Sequence, residues 1–150
     1  MFKKLALISI IAVQLAASPA FAQTSASEDK NIRIFMGAAV SCSKVVQQSN
    51  YAVGTEKDCL EVKGLLDQLI NTAGPMSARE MNYAVLSNML VHQTIGSLYV
   101  KNDGLDSVRN CAIVRQARAI KGRYANGLTV EADETMGKVV KGIEALAANC

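Results

Sequence analysis

Histidine, proline, aromatic rings and an excess of one charge are all scarce in this 150-residue chain. Two prolines and a hydrophobic content of 50% exclude collagen-like, low-complexity and disordered classes. Aromatics make up only 5%, and lysine and arginine exceed acids by 16 to 13, so a strongly basic, aromatic-interleaved nucleic-acid binder is not expected. No C-x-x-C occurs, which leaves thioredoxin-like redox chemistry, zinc ribbons and c-type haem attachment unsupported. The glycines are scattered and none forms a phosphate-cradling loop. The acids are scattered on helix starts, with no metal-binding cluster or carboxylate pair, and no G-x-S-x-G elbow is present. Enzyme is the disfavoured class, and no cofactor is implied.

What is present begins with an export signal over residues 1–22. Lys3 and Lys4 form a basic start, Leu5 to Ala17 an apolar stretch, and Ala20-Phe21-Ala22 a small-x-small cleavage site. Cleavage would leave residues 23–150 as a single helical domain. It removes two lysines and no acid, so 14 bases face 13 acids and the net charge drops to +1. Gross charge therefore does not draw the partner. Cys42, Cys59, Cys111 and Cys150 all survive, and an even set in an exported chain implies two disulfides. The compartment expected is a Gram-negative periplasm, with no membrane contact after cleavage.

Apolar periodicity predicts five helices and an all-α, compact bundle. The first runs from about Glu28 to Ser49, with Ser25 and Glu28 as a capping box and a stripe of Ile32, Phe35, Ala39, Cys42 and Val46. The second opens at Thr55, carries Cys59, Val62, Leu66, Leu69 and Ala73 inward, and ends at Gly74-Pro75. Ser77 and Glu80 form a second capping box. The helix they open has no formal charge between Glu80 and Lys101. Met81, Val85, Met89, His92 and Tyr99 share one face, with Tyr83, Leu86, Leu90 and Leu98 opposite. A helix apolar all round is expected at the centre of a bundle, or serving a partner as well as the core. Asn102-Asp103-Gly104 then turns the chain into a helix from about Leu105 to Lys121. Its Ile113, Ala117, Ile120 and Tyr124 face inward, and Arg115, Arg118 and Lys121 form a solvated side. Asn126-Gly127 stops it, and Thr129 caps a last helix bearing Val139, Ile143, Leu146 and Cys150.

In an up-and-down bundle all four cysteines share one end. Three pairings are open, and the stripes favour Cys42–Cys59 with Cys111–Cys150. His92 reads as a core or interface histidine. A bundle-haem ligand, paired with Met36 or Met136, is the sharper and less favoured reading.

The run Tyr99-Val100-Lys101-Asn102-Asp103-Gly104-Leu105, followed by Val108-Arg109-Asn110-Cys111, resembles part of the type VI secretion amidase immunity proteins. The export signal, the mature size, the helical pattern and Cys42 are also similar to that family. The resemblance implies a periplasmic helical dimer that binds and blocks a peptidoglycan amidase effector. It assigns partner binding to Lys101, Asn102, Asp103 and Gly104, and self-association to Tyr83, Leu86 and Leu90. If Cys42 and Cys111 match the family's cysteines, they would pair with each other and leave Cys59 to Cys150. The competing expectation is a periplasmic helical chaperone or envelope-stress protein that offers an apolar face to misfolded clients.

Overall fold

A computed structural model describes residues 25–72, 76–125 and 129–150. Five helices follow in order: α1 Ser25–Gln48, α2 Lys57–Thr72, α3 Ala78–Asp103, α4 Val108–Lys121 and α5 Val130–Leu146. No strand occurs among the described residues. The export signal, Ala73 to Pro75, and Asn126-Gly127 lie outside them.

The uncharged helix is the axis of the molecule: α3 packs against all four others, α1 pairs with α2, and α4 with α5. Its composition follows from that position, because a helix packed against four others has little face left for charge. Val85, Leu86, Met89, Val91, Ile95 and Leu98 are all fully enclosed. The expected stripe of α1 is buried at every position from Ile32 to Val46. In α2 the stripe turns to Ile70, with Leu69 only partly covered, as the 3.6-residue repeat drifts against a three-four count.

Starts and stops follow side-chain hydrogen bonds. Ser77 and Glu80 form the expected capping box on α3, and Thr129 caps α5 by accepting from the Ala132 N–H at 3.0 Å. Three expected boundaries move. The α1 helix already includes Ser25, and the Glu28 carboxylate pairs with Arg79 at 3.5 Å. Thr55 donates its hydroxyl to the Ala52 carbonyl at 2.6 Å, which builds the preceding turn, so α2 begins two residues later. Gly104 sits at φ 99°, and Ser107 rather than a residue near Leu105 caps α4 through the Asn110 N–H.

Disulfides Cys42–Cys59 and Cys111–Cys150 each close a hairpin, α1 with α2 and α4 with α5, at the same end of the bundle. The pairing is the one the helix stripes favoured; the pairing of Cys42 with Cys111 does not occur. The opposite end is held by buried Asn31 on α1, which donates to the fully buried Glu80 carboxylate on α3 at 2.7 Å. The same carboxylate accepts from Ser77 N–H, so both oxygens are used and the helix starts are locked together.

Candidate functional site

The cysteine end carries the turn that the sequence singles out, and long-range contacts hold that turn from below. After α1, the chain reverses through Asn50 and Tyr51, both in left-handed conformations (φ 53° and 60°), and Gly54 at φ 91°. Asparagine tolerates that region; a tyrosine there is strained and needs support from its surroundings. The support comes from α3. Lys101 donates to the Asn50 carbonyl at 3.0 Å and to its side-chain oxygen at 2.5 Å, with the ammonium 5.3 Å from the Tyr51 ring centre. Asn102 donates to the Tyr51 carbonyl at 2.9 Å and to the Leu98 carbonyl at 2.8 Å, so it also closes the last turn of α3.

Asp103 is held from the other side. Arg109, in the first turn of α4, donates to its carboxylate at 2.7 Å and stacks 4.3 Å over the Tyr99 ring. The carboxylate keeps the guanidinium pKa above its ordinary value. Burial raises that of the Tyr99 phenol. Gly104, the fourth of the expected binding residues, bonds its N–H back to Val100 O at 2.9 Å. A side chain there would meet the Asp106 carboxylate in a backbone region that L-residues avoid.

Lys101, Asn102, Asp103 and Gly104 are therefore brought together on one edge, each engaged by its own chain. Sequence reasoning missed the residues that engage them: Asn50, Tyr51 and Arg109. Tyr51 and Asn50 lie some fifty residues upstream and carry no local signal beyond turn chemistry. Two exposed apolar side chains flank the edge in sequence, Val53 at 68% and Val108 at 82%.

Beneath the turn, Asn110 is the internal clamp. Its Nδ2 donates at 2.8 Å to both the Leu105 carbonyl, in the connection, and the Leu146 carbonyl, at the end of α5. Its Oδ1 is buried with no donor among the described residues.

The expected self-association residues part company. Leu86 is 1% exposed and belongs to the core, on a side of α3 that its neighbours cover. Tyr83 is half-buried beneath Arg79, and Leu90 lines an open groove of about 340 Å³ between α1 and α3 with Val40, Ser43 and Thr94. A continuous apolar face of Tyr83, Leu86 and Leu90 does not exist.

His92 is fully enclosed and faces α2. Its Nδ1 donates to Asn88 O at 2.7 Å, which leaves Nε2 as a buried acceptor with no donor among the described residues. Asn88 donates to Asp67 on α2 at 2.7 Å, and Lys63 pairs with the second oxygen of that carboxylate. Burial holds the imidazole below its ordinary pKa. Met36 accepts from Ser87 Oγ at 3.1 Å and Met136 is buried on α5. On the fourth helix, Arg115, Arg118 and Lys121 are exposed as expected, and Arg118 pairs with Glu144 of α5.

No group of three or more histidine, cysteine or acidic residues that could hold a metal occurs among the described residues. No described helix is long and apolar enough to cross a membrane. Set beside known protein families, curated proteins and solved structures, the chain matches none of them.

Proposed function

We propose that this chain is an exported immunity protein that docks its cysteine end on a peptidoglycan amidase and blocks the cleft. The observation that carries the reading is the doubly tied Lys101–Gly104 turn. Lys101 and Asn102 fasten it to the Asn50–Tyr51 reversal, and Arg109 fastens Asp103 to α4. An inhibitor must present a fixed shape to a fixed cleft, and an edge ordered before binding loses little entropy in the complex. Two disulfides at the same end add to that order and suit the oxidising periplasm in which the amidase acts.

The chaperone alternative needs a broad apolar face to offer clients. Among the described residues the exposed large apolar ones are Val40, Val53, Leu60, Val108 and Val130, scattered over several stretches of chain, and the apolar residues of α3 are buried or only partly exposed, so no observation favours that reading. Self-association is retained at Tyr83 and Leu90 only, and sedimentation of the mature chain tests it: a dimer weakened by Leu90→Glu supports that contact, and a monomer at all concentrations removes it.

The binding reading is tested by mixing residues 23–150 with the purified amidase whose gene adjoins its own, followed by size-exclusion chromatography. A stoichiometric complex is expected. Asp103→Lys should weaken it at least ~tenfold, about 1.4 kcal/mol, with the helical spectrum unchanged. A complex insensitive to that change, or no complex with such an amidase, overturns the assignment.

A further inference from the structure

The two bridges differ in whether an external thiol can reach them. Cys42 and Cys59 are 2% and 0% exposed and belong to the core of the α1–α2 hairpin. Cys150 lies past the end of α5 and is exposed, and Cys111 is half-buried. On its inner side the second bridge rests on the connection between α3 and α4. The Cys150 sulfur lies 3.7 Å from the Leu105 carbonyl oxygen and 3.8 Å from Asn110 Nδ2, and the Cys111 sulfur 3.9 Å from the same carbonyl. Exchange requires a thiolate to approach one sulfur directly, so access decides which bridge reacts. For Cys42–Cys59 that approach requires α1 to part from α2, whereas the second bridge ends on a residue at the surface.

We propose that Cys111–Cys150 is a thiol–disulfide exchange site opened by external dithiols, and that Cys42–Cys59 is inert to them in the folded protein. One thiolate of the dithiol attacks the sulfur of the exposed residue Cys150. The new bond is a mixed disulfide on Cys150; the bond that breaks is Cys111–Cys150, and Cys111 departs as a thiolate. Cys111 stands at the end of the first turn of α4, where the helix dipole favours the anion, so it is the better leaving group as well as the less accessible sulfur. The second thiol of the dithiol then attacks the mixed disulfide. It leaves as a cyclic or protein disulfide, two electrons lighter, and Cys150 is released as a thiol.

The clamp at Asn110 limits the consequence. Its amide also holds the carbonyls of Leu105 and Leu146, and those two bonds tie α4 to α5 by a route other than the sulfurs. The change is confined to residues 147–150 and the 104–107 connection. The exchange site stands whether or not the neighbouring turn docks on an amidase.

The test uses residues 23–150 in native buffer with dithiothreitol as the dithiol, with timed alkylation and peptide mapping. Alkylated Cys111 and Cys150 should appear at least ~tenfold faster than alkylated Cys42 and Cys59, while the far-ultraviolet helical signal persists. Labelling of all four at one rate, or of Cys42 and Cys59 first, overturns the proposal. A second arm uses glutathione, a monothiol, to trap the intermediate. The mixed disulfide is expected on Cys150 with Cys111 alkylated, and the reverse distribution overturns the direction of attack. The C111S/C150S double variant should lose the fast phase and keep the slow one; a fast phase that survives contradicts its assignment.

Discussion

Replacing Asn110 separates its hydrogen-bonding role from its packing role. The side chain is fully buried, and its amide donates one bond to Leu105 O and one to Leu146 O, each at 2.8 Å. Asn110→Ala removes both. At about 1 kcal/mol net for each bond, and somewhat more where a carbonyl is left without a donor, the loss comes to about 3 kcal/mol. Removing the unpartnered Oδ1 returns a small part of that cost. A loss of this size lowers Tm by roughly 10 °C in a domain of this length. Asn110→Asp is nearly identical in shape yet should be worse than alanine at neutral pH. It exchanges two donors for an anionic oxygen facing two carbonyl oxygens, so a deficit of roughly 5 kcal/mol is expected. Acidification should narrow the gap, since a protonated carboxyl can donate one of the two bonds. Urea denaturation of the three proteins at neutral and acid pH is the assay. If aspartate proves as stable as alanine at neutral pH, the amide is not the clamp and the reasoning fails.

The remaining predictions concern titration and crosslinks. Burial keeps His92 neutral below its ordinary pKa of 6.5. Above pH 6.5 neither the folded nor the unfolded state binds a proton there. As pH falls below 6.5, the unfolded chain takes up a proton that the folded protein refuses, and stability declines. His92→Leu should remove that part of the slope of the urea midpoint between pH 7.5 and 5; parallel slopes would refute the assignment. The Tyr124 phenol is pushed up to about 12 by burial and by its bond to Asp133 at 2.9 Å, so Asp133→Asn should lower its alkaline ultraviolet transition. An unmoved transition would leave the Asp133 bond without effect. Chain-entropy arguments give the bridge spanning 39 residues about 3.9 kcal/mol and the one spanning 17 about 3.1. C111A/C150A should therefore cost at least as much as C42A/C59A in crosslink entropy, with the buried pair losing further stability from its cavity; calorimetry of both double variants checks the sum.

Much of the fold is legible in the sequence because the signals are local and repeated. Ile32 to Val46 mark a stripe, Ser77 and Glu80 mark a start, and the uncharged run of α3 marks the centre. The disulfide pairing was readable as well, since Cys42 and Cys59 stand on inward stripes of neighbouring helices while Cys111 stands off its own. The candidate site was legible only in part. Lys101 to Gly104 announce a turn, but nothing near them in sequence says that Asn50 and Tyr51 receive their side chains. Leu86 looks the same as Leu90 on a helical wheel; only the positions of α1, α2, α4 and α5 around α3 make one core and the other groove. Asn31, Glu80 and Asn110 are polar residues that no apolar stripe includes. Each is buried because a distant polar partner satisfies it, and periodicity does not report such pairs.

Whether the cysteine end blocks an amidase is decided by titrating peptidoglycan hydrolysis by the neighbouring amidase with residues 23–150, alongside the K101E/D103K double variant. Complete loss of hydrolysis at one inhibitor per enzyme is expected, with activity recovered when the folded variant is used. Undiminished hydrolysis at stoichiometric excess, or equal inhibition by the variant, would rule the inhibitor out.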